Sequence, residues 1–133
     1  MAELDQNQTQ FLEQPFVGVA TTLRKDGSPH STVVWVDIDN GNLSFNTAVG
    51  RAKERHIREN PKVALTVVDP QDAYKWVSVS GDAELTTEGA DPQIDRLAKK
   101  YLGKDEYPWR NPEEQRITVR ITPEKVDTSG LGA

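Results

Sequence analysis

The residues most able to do chemistry lie where a predicted strand gives way to a predicted helix. The strand ends in polar Asn46 and Thr47, a short loop ends at Gly50, and the helix begins with Arg51 and Lys53 in its first turn. Free backbone N–H groups at a helix start attract anions, and the helix dipole adds to that attraction. Cations are unfavourable there for the helix alone, so two of them indicate an anion from elsewhere. A phosphate fits, with a forked contact from Arg51 and a point charge from Lys53.

An ordinary solvated helix would carry the same residue types. The predicted helix, Arg51–Glu59, holds four basic residues together with His56. Solvated basic helix faces are common. Residue types alone therefore leave both interpretations open.

Composition excludes several other classes of function. The 133 residues include 21 acidic and 16 basic ones, for a net charge of −5, which argues against nucleic acid as a partner. There is no cysteine, so thiolate catalysis, disulfides and a zinc-thiolate site are excluded, and no metal site is expected. The polar N-terminus lacks a signal core, and no apolar run is long enough to span a membrane. A cytoplasmic protein is expected.

Strand patterns dominate the elements that must position this site. Turn signals such as Asp26-Gly27 and Asp39–Asn42 separate short runs rich in Val and Thr. We expect a continuous second strand and an antiparallel meander of the first three strands, with a bulge or bend at Gly81. The predicted strands are Phe16–Leu23, His30–Asp37, Leu43–Asn46, Lys62–Asp69, Tyr74–Leu85, Arg116–Thr122 and Lys125–Thr128.

Two further helices are predicted at the ends of this sheet. One falls within residues 1–14. The other spans Asp91–Leu102, with Asp91 as N-cap, an apolar stripe from Ile94 to Leu102, and Gly103 as the stop. The expected fold is mainly β with flanking helices: a single domain over 1–133, ending in a short tail at 129–133. Six to seven antiparallel strands favour a barrel over a doubly wound fold.

The ordered set of motifs resembles the pyridoxamine 5′-phosphate oxidase-like family, and more closely its probable coenzyme F-420-dependent subgroup. The resemblance runs from Phe16 to Val126 and implies a split β-barrel of the FMN-binding type. The carrying segments are Gly18–Leu23 with Asp26–His30, Asn46-Thr47 with Gly50–Lys53, Asn60–Ala64, Val77–Gly81, and Val119–Val126.

The resemblance also implies where a cofactor binds. Its phosphate would lie against Arg51 and Lys53, helped by Asn46, Thr47 and the turn at Gly50. The ring system and ribityl chain would lie along the second strand, and the site would sit at a homodimer interface. The second strand's contribution would be Ser31, Thr32, Val33 and Val34, and the other subunit's would be Trp76, Val77 and Ser78.

Both FMN and coenzyme F-420 carry a ribityl phosphate, so Arg51 and Lys53 alone do not choose between them. F-420 adds a phosphodiester-linked glutamate tail, for which a basic groove is expected, although plain surface charges would look the same. The closer resemblance favours F-420. The groove residues would be Arg55, Arg58, Lys62 and Lys75.

The expected activity is hydride transfer between this deazaflavin and a small unsaturated or quinone-like substrate. The cofactor would carry the chemistry, so no catalytic side chain is assigned. His30 and His56 are proton-donor candidates by type only, and Trp76 and Trp109 are candidates for the substrate pocket. The C-terminal Arg and His that bind pyridoxal in the vitamin-producing oxidases have no counterpart in 129–133, so that substrate is not expected.

Three alternatives stay open at this stage. The first is an FMN-dependent oxidoreductase of the same fold. The second is a non-catalytic protein that binds a flavin or haem, and the third is an interaction barrel with no cofactor.

Overall fold

A computed structural model describes residues 2–39 and 41–131. These residues form three helices and seven strands. In chain order the elements are α1 (Gln6–Glu13), β1 (Gly18–Leu23), β2 (Pro29–Val34), β3 (Val36–Asp39), β4 (Asn42–Ala48), α2 (Ala52–Glu59), β5 (Lys62–Asp69), β6 (Asp72–Thr86), α3 (Ala90–Leu102) and β7 (Arg116–Ser129).

All seven strands belong to one antiparallel sheet in the order β2-β1-β5-β6-β7-β4-β3. The outermost strands, β2 and β3, are consecutive in the chain and are separated by Trp35 alone. One residue can join opposite edges only if the sheet curls until those edges meet. This confirms the predicted mainly β, antiparallel split barrel with flanking helices.

The prediction of a continuous second strand, His30–Asp37, is wrong. The chain leaves the β1 edge after Val34 and joins β4 at Val36, so two separate hairpins replace the expected three-stranded meander. Side chains of α3 replace the lost ladder bonds at the crossing. The Val36 N–H donates to Tyr101 Oη over 2.9 Å, and Lys100 Nζ donates to the Val36 carbonyl over 2.7 Å.

The C-terminal region forms one strand where two were expected. β7 pairs with β6 along its length, and the register jumps from Ser80↔Lys125 to Gly81↔Pro123, which confirms the bulge predicted at Gly81. Glu124 is the extra residue. A Cβ at position 81 would overlap the carbonyl oxygen of Thr122, so the close approach of the two strands requires glycine there.

The first and last helices differ from expectation at their ends. α1 begins at Gln6, because Asp5 caps it by accepting from the Gln8 N–H over 2.7 Å. α3 begins at Ala90, with Gly89 rather than Asp91 as its N-cap, and ends at Leu102 with Gly103 as its C-cap, as predicted. Its apolar stripe is buried through Ala98, whereas Leu102 is exposed.

The core fills the inside of the curled sheet, with α1 and α2 packed against it. Phe45, Val77 and Val119 have no exposed side-chain surface, and Leu12 and Ile57 add the contacts of the two helices. Buried and more exposed residues alternate along the middle of β6, where Val77 and Val79 are turned inward. Asn40, in the predicted Asp39–Asn42 turn, and the end of the predicted 129–133 tail lie outside the described residues.

Within the part of the chain that the structure describes, every helix is too short or too polar to cross a membrane.

Candidate functional site

The strand-to-helix junction is formed by the end of β4, a turn and α2. Gly50 adopts φ 92°, a left-handed conformation that favours glycine, and the chain turns sharply there. Arg51 is extended (φ −72°, ψ 161°) and is the N-cap, so α2 begins at Ala52 rather than at the predicted Arg51. Among the residues that the structure describes, no side chain caps the N-terminus of α2. The first-turn N–H groups therefore remain available to an anion.

A cleft of about 200 Å³ opens beside this junction, and we call it the cationic cleft. It brings together half of the residues predicted for the site, and it adds residues from the β2–β3 link, α3, the 103–115 loop and the start of β7. The predicted residues that line it are Val33, Val34, Asn46, Thr47, Arg51 and Lys53; the others are Trp35, Ile94, Leu97, Tyr107, Trp109 and Arg116.

Arg116, the first residue of β7, is a site residue that the sequence analysis missed. Its side chain is only 8% exposed, its Nε donates to Asn46 Oδ1 over 2.8 Å, and its guanidinium lies over the Tyr107 ring at 5.4 Å. Arg116 Nη1 and Thr47 Oγ1 are both buried without a hydrogen-bond partner in the described structure. Buried donors are costly to leave unpaired. These two point to a ligand that accepts hydrogen bonds.

The charges in the cleft favour an anion. Burial lowers the pKa of Lys53, and the nearby Arg51 and Arg116 lower it further. Burial is also the main cause of the lowered pKa of Arg116, with Arg51 contributing in the same direction. Crowded cations of this kind are relieved by an anionic ligand. The residue types present therefore fit the phosphate of a nucleotide-like cofactor.

One carboxylate contacts two of the cations that line the cleft. Glu114 Oε2 lies 2.5 Å from Arg51 Nη2, and its Oε1 lies 3.7 Å from Arg116 Nη1. The chain itself therefore supplies part of the negative charge that was expected from a bound anion. Among the described residues no carboxylate pairs with Lys53.

An aromatic wall adjoins the cations. Trp35 stacks on Tyr101 with ring centroids 5.4 Å apart, and Tyr107 and Trp109 meet it at 6.1 and 6.5 Å. Trp109 stays 62% exposed, as an open surface on which a planar group could stack. Trp109, which was predicted to line a substrate pocket, lines the cationic cleft together with Trp35 and Tyr107.

The other predicted cofactor contacts lie away from the cleft. Ser31 is exposed on the outer face of β2 and is hydrogen-bonded to Thr21 over 2.8 Å. Thr32, on the opposite face, has a buried hydroxyl without a partner. Trp76 and Ser78 line a separate depression of about 610 Å³ on the outer face. Val77 is fully buried in the core, so only its backbone is left to contact a ligand.

Three of the four residues expected to form a basic groove for a tail lie apart from one another. Arg58 pairs with Glu54 at 2.5 Å, while Lys62 lies in a cleft beside Thr21 and Lys75 in another depression beside Asn7. The fold carries Lys62 and Lys75 to different surfaces.

The two histidines contact each other rather than the cleft. Their rings lie 5.1 Å apart, edge to face, and His56 Nδ1 is hydrogen-bonded to Thr22 Oγ1 over 2.9 Å. Burial, followed by the charge of Arg24, lowers the pKa of His30. Neither histidine lines the cleft, so the structure gives them no place as proton donors there.

The fold and the cleft together define an antiparallel split-barrel protein with a cleft rich in cationic side chains at the β4–α2 junction. Residues 4–130 match the family model of pyridoxamine 5′-phosphate oxidase, and the chain belongs to that family. This confirms the resemblance on which the sequence analysis relied.

Solved structures agree with this assignment. A protein named F-420 reductase superposes with a TM-score of 0.80 at 27% identity, covering 93% of this chain and 98% of that one. A conserved hypothetical protein from Mycobacterium tuberculosis superposes with a TM-score of 0.76 at 20% identity, covering 98% of this chain and 87% of that one. A putative pyridoxamine 5′-phosphate oxidase from Listeria innocua gives 0.68 at 22% identity, covering 90% and 92%. The last two likenesses concern the fold.

Proposed function

We propose that this protein is a coenzyme F-420-dependent oxidoreductase that binds the cofactor's phosphate in the cationic cleft. The observation that carries the proposal is a pair of buried donors without a hydrogen-bond partner in the described structure, Arg116 Nη1 and Thr47 Oγ1. They lie beside Lys53, for which the described residues supply no carboxylate partner. The family assignment supports cofactor chemistry, and the similarity to the F-420 reductase favours the deazaflavin over FMN.

The chain's own residues bind and orient the phosphate. Arg116 and Thr47 donate from inside the cleft, Lys53 adds a half-buried charge, and the open first turn of α2 presents backbone N–H groups. Trp35 and Trp109 form the adjoining wall, on which a planar ring can stack. The bound deazaflavin supplies the hydride, so no side chain needs to be a nucleophile or a metal ligand.

The proposal includes a homodimer with the cofactor at its interface. The outer face of the sheet exposes Val33 (66%), Val19 (43%) and Val68 (42%), and Trp76 stands opposite Val68 on the paired strand. Val33 also lines the cationic cleft, so a partner seated on this face would border the ligand. Trp76 and Ser78 would reach the cofactor only across such an interface.

Titration of the pure protein with F-420 and FMN, side by side, tests the proposal. We expect F-420 to bind more tightly, followed by its oxidation or reduction in a screen of unsaturated and quinone-like substrates. Tighter binding of FMN, together with turnover, would identify FMN and not F-420 as the cofactor. A protein that binds neither molecule would contradict the proposed function.

A further inference from the structure

Glu114 occupies an unusual place for a carboxylate in a site that binds anions. It lies between Arg51 and Arg116, the two arginines of the cationic cleft, and its side chain is 23% exposed. An anion that contacts both arginines must therefore bind close to a negative charge that the chain supplies itself. Stabilisation of Arg51 alone does not require Glu114, because Arg51 is half exposed and solvent can hydrate its charge.

The surrounding backbone holds Glu114 in this position. Its N–H donates to the Asn111 carbonyl over 3.0 Å, which closes a turn immediately before β7. The next residue, Gln115, accepts from the Val49 N–H over 2.9 Å and ties this turn to the loop that carries Arg51. The carboxylate is thus built into the same junction as the cations.

We propose that Glu114 sets the charge selectivity of the cationic cleft, restraining the binding of a dianionic phosphate monoester more than that of a monoanionic phosphodiester. The proposal rests on the proposed function, because it concerns the phosphate bound in that cleft. The repulsion between Glu114 and a ligand doubles when the ligand charge doubles. A monoester carries close to two charges at neutral pH and a diester carries one.

This selectivity bears on the choice of cofactor. Three cations without Glu114 would favour the dianionic phosphate of FMN. With Glu114 in place that advantage shrinks, and the phosphodiester of F-420 competes better. Glu114 therefore lets the cleft distinguish the phosphodiester of F-420 from the phosphate monoester of FMN, which Arg51 and Lys53 alone do not.

A charge series with one ring system tests the proposal. Riboflavin, the methyl phosphodiester of FMN, and FMN carry zero, one and two phosphate charges on the same ribityl flavin. Dissociation constants of all three are measured by fluorescence titration, at fixed pH and ionic strength, for the wild type and for Glu114→Gln. Glu113→Gln is the matched control, because it removes the same charge from the exposed neighbouring position.

We expect Glu114→Gln to leave riboflavin binding unchanged, to tighten the diester about tenfold and to tighten FMN about a hundredfold, since each unit of ligand charge adds a similar increment. Glu113→Gln should change each constant by less than about twofold. Equal factors for all three flavins, weaker phosphate binding in Glu114→Gln, or the same effect from Glu113→Gln would overturn the proposal while leaving the proposed function intact. Failure of the wild type and both variants to bind any of the three flavins would overturn this proposal, and failure to bind F-420 as well would overturn the proposed function.

Discussion

Arg116 donates from Nε to Oδ1 of Asn46 over 2.8 Å, although the two residues lie 70 positions apart in the chain. The contact exists because β7 pairs with β4, with Arg116 opposite Ala48. It fixes the guanidinium so that Nη1 stays buried and without a hydrogen-bond partner in the described structure. A side chain held at one end and unsatisfied at the other is suited to bind a ligand without rearranging.

Replacing Arg116 by methionine should remove Nη1, a donor that has no hydrogen-bond partner in the described structure and that the ligand would satisfy. We expect affinity for F-420 or FMN to fall at least about tenfold, since a charge-assisted hydrogen bond contributes roughly 1.5–3 kcal/mol. Stability without ligand should change by less than about 1 kcal/mol, because the lost bond to Asn46 is offset by relief of the crowding with Lys53. Titration and urea unfolding measure the two effects. Arg120→Met, exposed on the same strand, is the control and should bind like the wild type.

Lys53 and Arg51 should contribute unequally to the affinity for the cofactor. Arg51 is half exposed and already paired with Glu114, whereas Lys53 is half buried, with no carboxylate partner among the described residues. We expect Lys53→Ala to weaken cofactor binding about tenfold or more, Arg51→Ala to weaken it by a smaller factor, and the double variant to lose most of the affinity. Titration calorimetry measures all three, with Arg55→Ala on the exposed side of α2 as control. Unchanged binding in the double variant would eliminate the proposed phosphate anchor.

Sequence alone predicted the junction well, because its signals are local. Polar residues at a strand end, a glycine and two cations are contiguous, and the structure places Asn46, Thr47, Arg51 and Lys53 around one cleft. Arg116 could not be found in this way. A basic residue at the start of a strand has no distinguishing pattern, and only the β4–β7 pairing brings it to the site.

The break at Trp35 was missed for a similar reason. Alternation of residue types shows that a segment is extended but does not show which neighbour it pairs with. Val34 and Val36 are both buried, as in one continuous strand, yet they belong to opposite edges of the sheet. The bonds that compensate the break come from Lys100 and Tyr101 on a helix distant in sequence.

Lys100 should make stability depend on pH in the alkaline range. Burial lowers its pKa to about 8 from 10.5, although Asp37 and Glu13 act in the opposite direction. Between these values the unfolded chain binds more protons than the folded one, so the free energy of unfolding should rise with pH from about 8 to 10.5, by about 1–2 kcal/mol after allowance for partial exposure.

Tyr101 should reverse this trend at higher pH. Burial raises its pKa to about 12 from 10.0, so the unfolded chain loses that proton first and stability should fall above about pH 10. Urea unfolding from pH 7 to 11 measures both effects as a rise followed by a fall. Lys100→Met should abolish the rise, whereas Lys99→Met, its more exposed neighbour, should retain it. A wild-type curve that is flat between pH 8 and 10 would contradict the assignment.

The proposed dimer should depend on the exposed valines of the outer face. Val33 is 66% exposed and is paired in register with Val19. A charge placed there would have to be desolvated on association, so we expect Val33→Lys to weaken the dimer by at least about 2 kcal/mol and to give monomers at micromolar concentration. Light scattering after size exclusion measures the mass. Leu102→Lys introduces the same charge at the end of α3 and should remain dimeric. Because the cofactor is proposed to lie at the interface, the monomeric variant should also bind it more weakly; a monomeric wild type that binds with full affinity would rule out the shared site.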